Sequence, residues 1–176
     1  QLQRARMVEP AGDETYVEGI AQDLPFDNAS FDIVVFFNSL HHIPAPGMAA
    51  GLAEANRVLR RGGILFIAEP VAAGPFHEMQ KPFHDETEVR ALALEAARRH
   101  GETDYTNPRH ITYLGGAKFE SFVSFRAGQI AIDAERGGWD KTQVAELRER
   151  FEHFGLRRDD GIYFDQPMQA IIMEKE

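Results

Sequence analysis

Phe31-Asp32-Ile33-Val34-Val35-Phe36-Phe37, running into Asn38-Ser39-Leu40-His41-His42-Ile43, is the stretch that decides the architecture. It is apolar except for Asp32 and rich in Val, Ile and Phe. Too short for an ordinary helix, it reads as a strand buried on both faces, the kind found in the middle of a parallel sheet. Downstream, residues 48–59 carry a helical pattern ending in Arg57-Val58-Leu59-Arg60-Arg61, whose basic groups suit a helix C-terminus, and Gly62-Gly63 are placed to stop it. Ile64-Leu65-Phe66-Ile67-Ala68 is a second apolar strand, closed by Glu69-Pro70. Strand, helix and strand make one right-handed crossover unit. In open sheets of this type ligands bind beyond the carboxyl ends of the strands, so residues 38–42 and Glu69 are the candidates for chemistry.

Four segments, Asp23-Leu24-Pro25-Phe26, Ser30-Phe31-Asp32-Ile33-Val34, Leu40-His41-His42-Ile43-Pro44 and Arg57-Val58-Leu59-Arg60-Arg61-Gly62-Gly63, resemble in order and spacing the second half of a class I S-adenosylmethionine-dependent methyltransferase. The type is the one related to the quinone-biosynthesis methyltransferases. The resemblance is dense over residues 16–69, thin afterwards and silent on substrate. It implies an α/β, Rossmann-like fold: a mainly parallel sheet with helices on both faces and an antiparallel C-terminal strand pair. It also implies transfer of the methyl group of S-adenosylmethionine to a small-molecule acceptor. The sulfonium is already electrophilic, so the protein has to align donor and acceptor and, for a hydroxyl or carbon acceptor, remove a proton. By the same resemblance Ala21 and Gln22 lie against the adenine, the backbone of Asn38 and Ser39 lies near the methionine end of the cofactor, and His42 is the catalytic residue facing the acceptor.

Two departures qualify that picture. Tyr16-Val17-Glu18-Gly19-Ile20 reads as the strand before the adenine loop, but Ile20 stands where the family places an aspartate, and its side chain accepts no hydrogen bond. No strand followed by a glycine-rich turn precedes Tyr16, although such a turn lets backbone approach the cofactor closely. Gly115-Gly116 and Gly137-Gly138 come too late to serve. The chain therefore reads as the C-terminal part of the fold, with the N-terminal strands missing. The competing reading is a truncated or degenerate methyltransferase relative without cofactor binding, an interaction module or fragment. In the family order 3-2-1-4-5-7-6, loss of strands one and two leaves residues 31–37 as an exposed edge, so a homodimer is expected.

The rest of the chain is read as a single domain over residues 1–176. Residues 71–114 form a lid or substrate-covering insertion, irregular over 71–83, helical over 85–100 and turn-rich over 102–114. A helix over 117–126 feeds a strand at 129–132, a helix covers 141–154, and a closing strand covers 169–173. His41-His42, with His77, His84 and Asp85, show no HExxH or His-x-His spacing, and no metal ligands are assigned. Glu69 reads equally as a strand terminator or a substrate carboxylate. The 13 phenylalanines suit either core packing or an apolar substrate pocket.

Composition bounds the function. With 43% hydrophobic and 27% charged residues in 176, the chain is an ordinary globular domain, and a net charge of −9 argues against nucleic acid as a partner. It has no cysteine, no apolar run long enough to span a membrane, and Gln at position 1. A cytoplasmic protein with no membrane partner is expected.

Overall fold

The computed structural model describes residues 2–103 and 105–176. A short helix, α1 (Leu2–Ala5), opens the chain, and residues 16–20 follow as exposed coil. Their one ladder feature is a bridge between Ile20 and Asp23, so the strand expected there is not formed. A strand needs a neighbour for its backbone groups, and the neighbours of the family sheet are not among the described residues.

The sheet begins with β1 (Phe31–Phe37). Turns at Leu40–His42 and Ala45–Gly47 lead to α2 (Met48–Val58) and β2 (Leu59–Pro70). Gly62-Gly63 do not stop the helix, which has already ended at Val58; they sit in an irregularity of β2, opposite a register slip between Phe31 and Ile33. Gly62 has φ 74°, and a Cβ on Gly63 would lie 2.8 Å from the Arg60 carbonyl oxygen, so both positions demand glycine.

Next come α3 (Pro75–Gln80), α4 (Thr87–Gly101), β3 (Tyr105–Phe119), α5 (Phe122–Ile132), α6 (Lys141–Phe154), β4 (Leu156–Arg158) and β5 (Gly161–Lys175). The strand order is β1-β2-β5-β3, with β4 paired to β5, which reproduces the 4-5-7-6 half of the expected order.

The α/β class stands, but the mainly parallel sheet does not. Among the described residues only β1 and β2 pair in parallel; every other pair is antiparallel. The reason is the position of β5. It runs against β2, β3 and β4 alike and lies between β2 and β3, so these two strands, which share a direction, are kept apart.

The antiparallel pair exists, but its first member is β3. Residues 129–132 are instead the end of α5, which Ser121 starts by accepting a hydrogen bond from the Ser124 amide while the Ser124 hydroxyl accepts from the Ser121 amide. Residues 105–114, expected as turns within a lid, are paired strand; Asp104 lies outside the described residues. Pro108 is tolerated because the register slips between Thr106 and Arg109. Gly115 and Gly116 mark no turn: a Cβ on Gly116 would lie 2.9 Å from the Phe164 carbonyl oxygen.

Two cores result. α2 and α4 cover one face of the sheet, burying Phe36, Leu40, Leu52, Leu65, Ile67 and Ile171. Ile162 and Phe164 of β5 alternate with Ile171 and Met173, so they face the other side, where Met79, Phe122, Phe125, Leu147 and Phe151 close a second cluster. β1 is not buried on both faces. Phe36 is 8% exposed, but Ile33, Val35 and Phe37 are 57%, 55% and 58% exposed, because β1 is the edge and only the face toward α2 is covered.

Candidate active site

The C-terminal ends of β1, β2 and β3 meet in a cleft of about 420 Å³. Asn38 follows β1, Pro70 ends β2, Phe119 ends β3, and Gln166 and Met168 come from β5. A larger hollow of about 610 Å³ along α4 brings no histidine, and chemistry rather than size selects the first.

Asn38 turns the chain across the strand ends. Its φ is 49°, a region that asparagine tolerates better than most residues, and its amide extends the ladder to the Ala68 carbonyl at 2.9 Å. The turn delivers Ser39, Leu40 and His41 to Glu69, which is fully buried. Glu69 Oε1 accepts from the Ser39 and Leu40 amides at 3.0 and 2.7 Å, and Oε2 bonds His41 Nδ1. Glu69 is therefore neither a simple strand terminator nor a free substrate carboxylate. It holds the turn and orients the His41 ring.

His41 is buried, and its Nε2 lies 3.8 Å from Glu86 Oε1. Glu86 Oε1 also receives His84 Nε2 at 2.8 Å, while Arg90 donates to Oε2 at 2.6 Å. Burial alone would raise the Glu86 carboxyl; the charges of Arg90, His84 and His41 outweigh it and hold it below its ordinary value. His77 contacts Arg90 NH1 through Nδ1 at 3.4 Å, and burial and then Arg90 keep it below the usual histidine value.

His42 is exposed at the cleft mouth, with its ring centroid 4.1 Å from that of His41. Burial of part of the ring and the charge of His41 also hold it below the usual value. A neutral imidazole there has a lone pair to offer. Phe122 and Phe151 are core, and Phe76, Phe119 and Phe125 pack on that core while lining the cleft.

The sequence-predicted residues divide. Asn38 and His42 line the cleft, and Ser39 is bonded to its floor. The Asn38 and Ser39 amides are both spent inside the protein, so these residues offer a ligand carbonyl and side-chain groups rather than backbone N–H. Ile20, Ala21 and Gln22 lie elsewhere, against the start of α2. Ala21 packs on the first core beside Gly51, Gln22 abuts Gly47, and Ile20 is 62% exposed. Sequence reasoning passed over Glu86 and Arg90, which look like an acidic first turn and an ordinary helix arginine. Nothing local signals that α4 docks this turn against His41.

The loop before β1 is fastened to α2 through Arg57 and Glu54 and through the Ala29 and Ser30 amides, which donate to the Arg57 and Val58 carbonyls. Arg57 uses all its donors: Nε to Glu54 at 2.7 Å, NH1 to Phe26 O and Asn28 at 2.8 Å, and NH2 to Leu24 O and Glu54 at 3.0 and 2.8 Å. Glu54 in turn accepts from the Leu24 amide at 2.8 Å. Two of the segments quoted for the resemblance are thus one hydrogen-bonded unit.

Known methyltransferases resemble the chain in sequence and in fold. The family described as "Methyltransferase domain" matches residues 1–67. The ubiquinone/menaquinone biosynthesis C-methyltransferase UbiE of Rhizobium leguminosarum is 37% identical over 83 residues, 47% of this chain and 29% of that protein. An uncharacterized methyltransferase of Mycolicibacterium paratuberculosis is 31% identical over 155 residues, 85% of this chain and 59% of that protein. The chain thus spans less than two thirds of either relative. Among solved structures, a putative methyltransferase from Bacillus halodurans superposes with a TM-score of 0.52 at 20% identity, over 91% of this chain and 71% of that one, which speaks for the fold alone. The matched N-terminal region is that of a methyltransferase domain, and the strand order and the superposition give the chain the class I methyltransferase fold.

Proposed function

We propose that these residues form the acceptor side of a methyltransferase site, at which the methyl group of S-adenosylmethionine passes to a small molecule. The observation that carries the reading is the cleft at the ends of β1, β2 and β3, with His42 at its mouth and Asn38 on its wall. His42 faces the acceptor, positions it and takes its proton; Ala21 and Gln22, with Ile20 beside them, form the adenine side, and Asn38 and Ser39 the methionine side. The wall of Phe76, Phe119, Phe125 and Met168 suits an apolar or aromatic acceptor. The name of a similar protein of Oryza sativa, a 2-methyl-6-phytyl-1,4-hydroquinone methyltransferase, makes 1,4-hydroquinones the first probes.

α3 and α4 are assigned as the cover over the strand ends. No helix among the described residues is long and apolar enough to cross a membrane, and the acidic balance disfavours nucleic acid. The cysteine-free composition suits the cytoplasm, and the open β1 edge suits a homodimer.

A second reading, a relative that binds no cofactor, is favoured by exposed Ile20 and by the lack of a glycine-rich turn within these residues. The test is labelled-methyl transfer from S-adenosylmethionine to hydroquinones by the complete gene product, run beside calorimetric titration with S-adenosylhomocysteine. Transfer supports the first reading. Absence of both transfer and cofactor binding supports the second.

A further inference from the structure

Three candidates stand out: the open β1 edge, the buried Gln166 on the cleft wall, and the histidine–carboxylate cluster of His41, His42, His84 and Glu86. The cluster carries an argument furthest. The geometry points to a binding site for one divalent first-row metal ion, held by His41, His42 and Glu86.

The ligand atoms of these three residues all lie within 4.8 Å of one another. The buried Glu69 carboxylate takes the two backbone amides through Oε1 and pairs with His41 Nδ1 through Oε2, which fixes the ring and leaves its other nitrogen, Nε2, on the Glu86 side. Nε2 lies 3.8 Å from Glu86 Oε1, too far for a hydrogen bond and close enough for both atoms to bind one cation. An ion with bonds near 2.1 Å to imidazole nitrogen and carboxylate oxygen sets its ligand atoms roughly 3.4 Å apart, so a small closure of Glu86 suffices.

The outer support is also present. Glu69 orients His41 as a carboxylate does behind a metal-bound histidine, and Arg90 steadies Glu86 through its other oxygen at 2.6 Å. His42 is exposed and turns at little cost. His84, with its Nε2 2.8 Å from the same Glu86 oxygen and its side chain 46% exposed, offers a fourth ligand. Two or three imidazoles with one carboxylate select zinc-like ions over magnesium or calcium. The spacing of these residues matches no metal motif, because the turn after β1 and the loop before α4, distant in sequence, contribute them. An ion on His42 takes the lone pair that would otherwise accept the proton, so the metal-bound and proton-accepting states of this residue exclude one another, and the test reads metal binding without reference to methyl transfer.

The experiment is calorimetric titration of the chain with Zn²⁺ at neutral pH in a non-chelating buffer. One ion per chain with a dissociation constant of about 1 μM or below is expected. His42→Ala, at an exposed position, and Glu86→Gln should each weaken binding at least about tenfold, and Glu69→Gln by about 10- to 100-fold through the loosened His41 ring. Circular dichroism checks that each variant is folded. Should Glu69→Gln unfold the chain, His42→Ala decides. No saturable binding up to about 100 μM overturns the proposal, and so does binding that His42→Ala leaves unchanged, which would mark adventitious surface histidines. In the first case a proton on His41 Nε2, visible by nitrogen NMR, is the bridging cation.

Discussion

At the scale of single residues, the site depends on what each polar atom is already bonded to. Glu69 accepts two amides and faces His41 Nδ1 from a position without solvent. Glu69→Gln keeps the shape but puts an N–H₂ where an acceptor is needed. The expected cost is about 2 kcal/mol, the scale of a lost hydrogen bond to a charged group, read as a lowered midpoint in urea. A change under about 0.5 kcal/mol would mean that the turn does not need the carboxylate. His41 and His42 could be flagged from sequence because they follow an apolar strand. Which of them is buried could not be flagged, since the direction of each ring is set by the left-handed Asn38 and by Glu69, a residue distant in sequence.

At the scale of elements, Arg57 ties α2 to the loop before β1, and the pair Glu54–Arg57 gives that contact a pH dependence. Arg57 and then the Leu24 amide hold the Glu54 carboxyl down at about 2. A carboxyl with its pKa depressed on folding stabilises the folded state above its unfolded value near 4.5 and loses that contribution as pH falls toward 2. The protection factor of the Leu24 amide, its exchange rate relative to the intrinsic rate at the same pH, should therefore fall as pH drops between those limits in the wild type. In Arg57→Met it should be low at every pH; strong protection in that variant would show that the loop is held otherwise.

The β1–α2–β2 unit was legible from period and length alone. β3 was not, because its edge position leaves most of it exposed and lets proline and glycine into a strand. The end of α5 was misread as a strand since Ile130 and Ile132 are apolar yet exposed at 38% and 67%. Apolarity there does not report burial.

At the scale of the molecule, the strand order 4-5-7-6 was readable only through the family resemblance, and the exposed face of β1 follows from it. Ile33, Val35 and Phe37 form an open apolar row on an edge strand, and residues 16–20 do not fold back to cover it. The 176-residue chain alone is expected to sediment as a dimer at roughly tens of micromolar, with Val35→Lys shifting it toward monomer. A well-folded wild-type monomer at that concentration would reject the edge pairing.

The site itself joins three strand ends and the start of α4, and no local pattern encodes that meeting. We place His42 on the acceptor side of the cleft. The direct measurement is steady-state methyl transfer from S-adenosylmethionine by the complete gene product, on its best acceptor, comparing wild type with His42→Ala. The account predicts a fall in kcat of about 10²-fold or more with KM for S-adenosylmethionine little changed; an equal loss in cofactor affinity and rate, or an unchanged kcat, would contradict it.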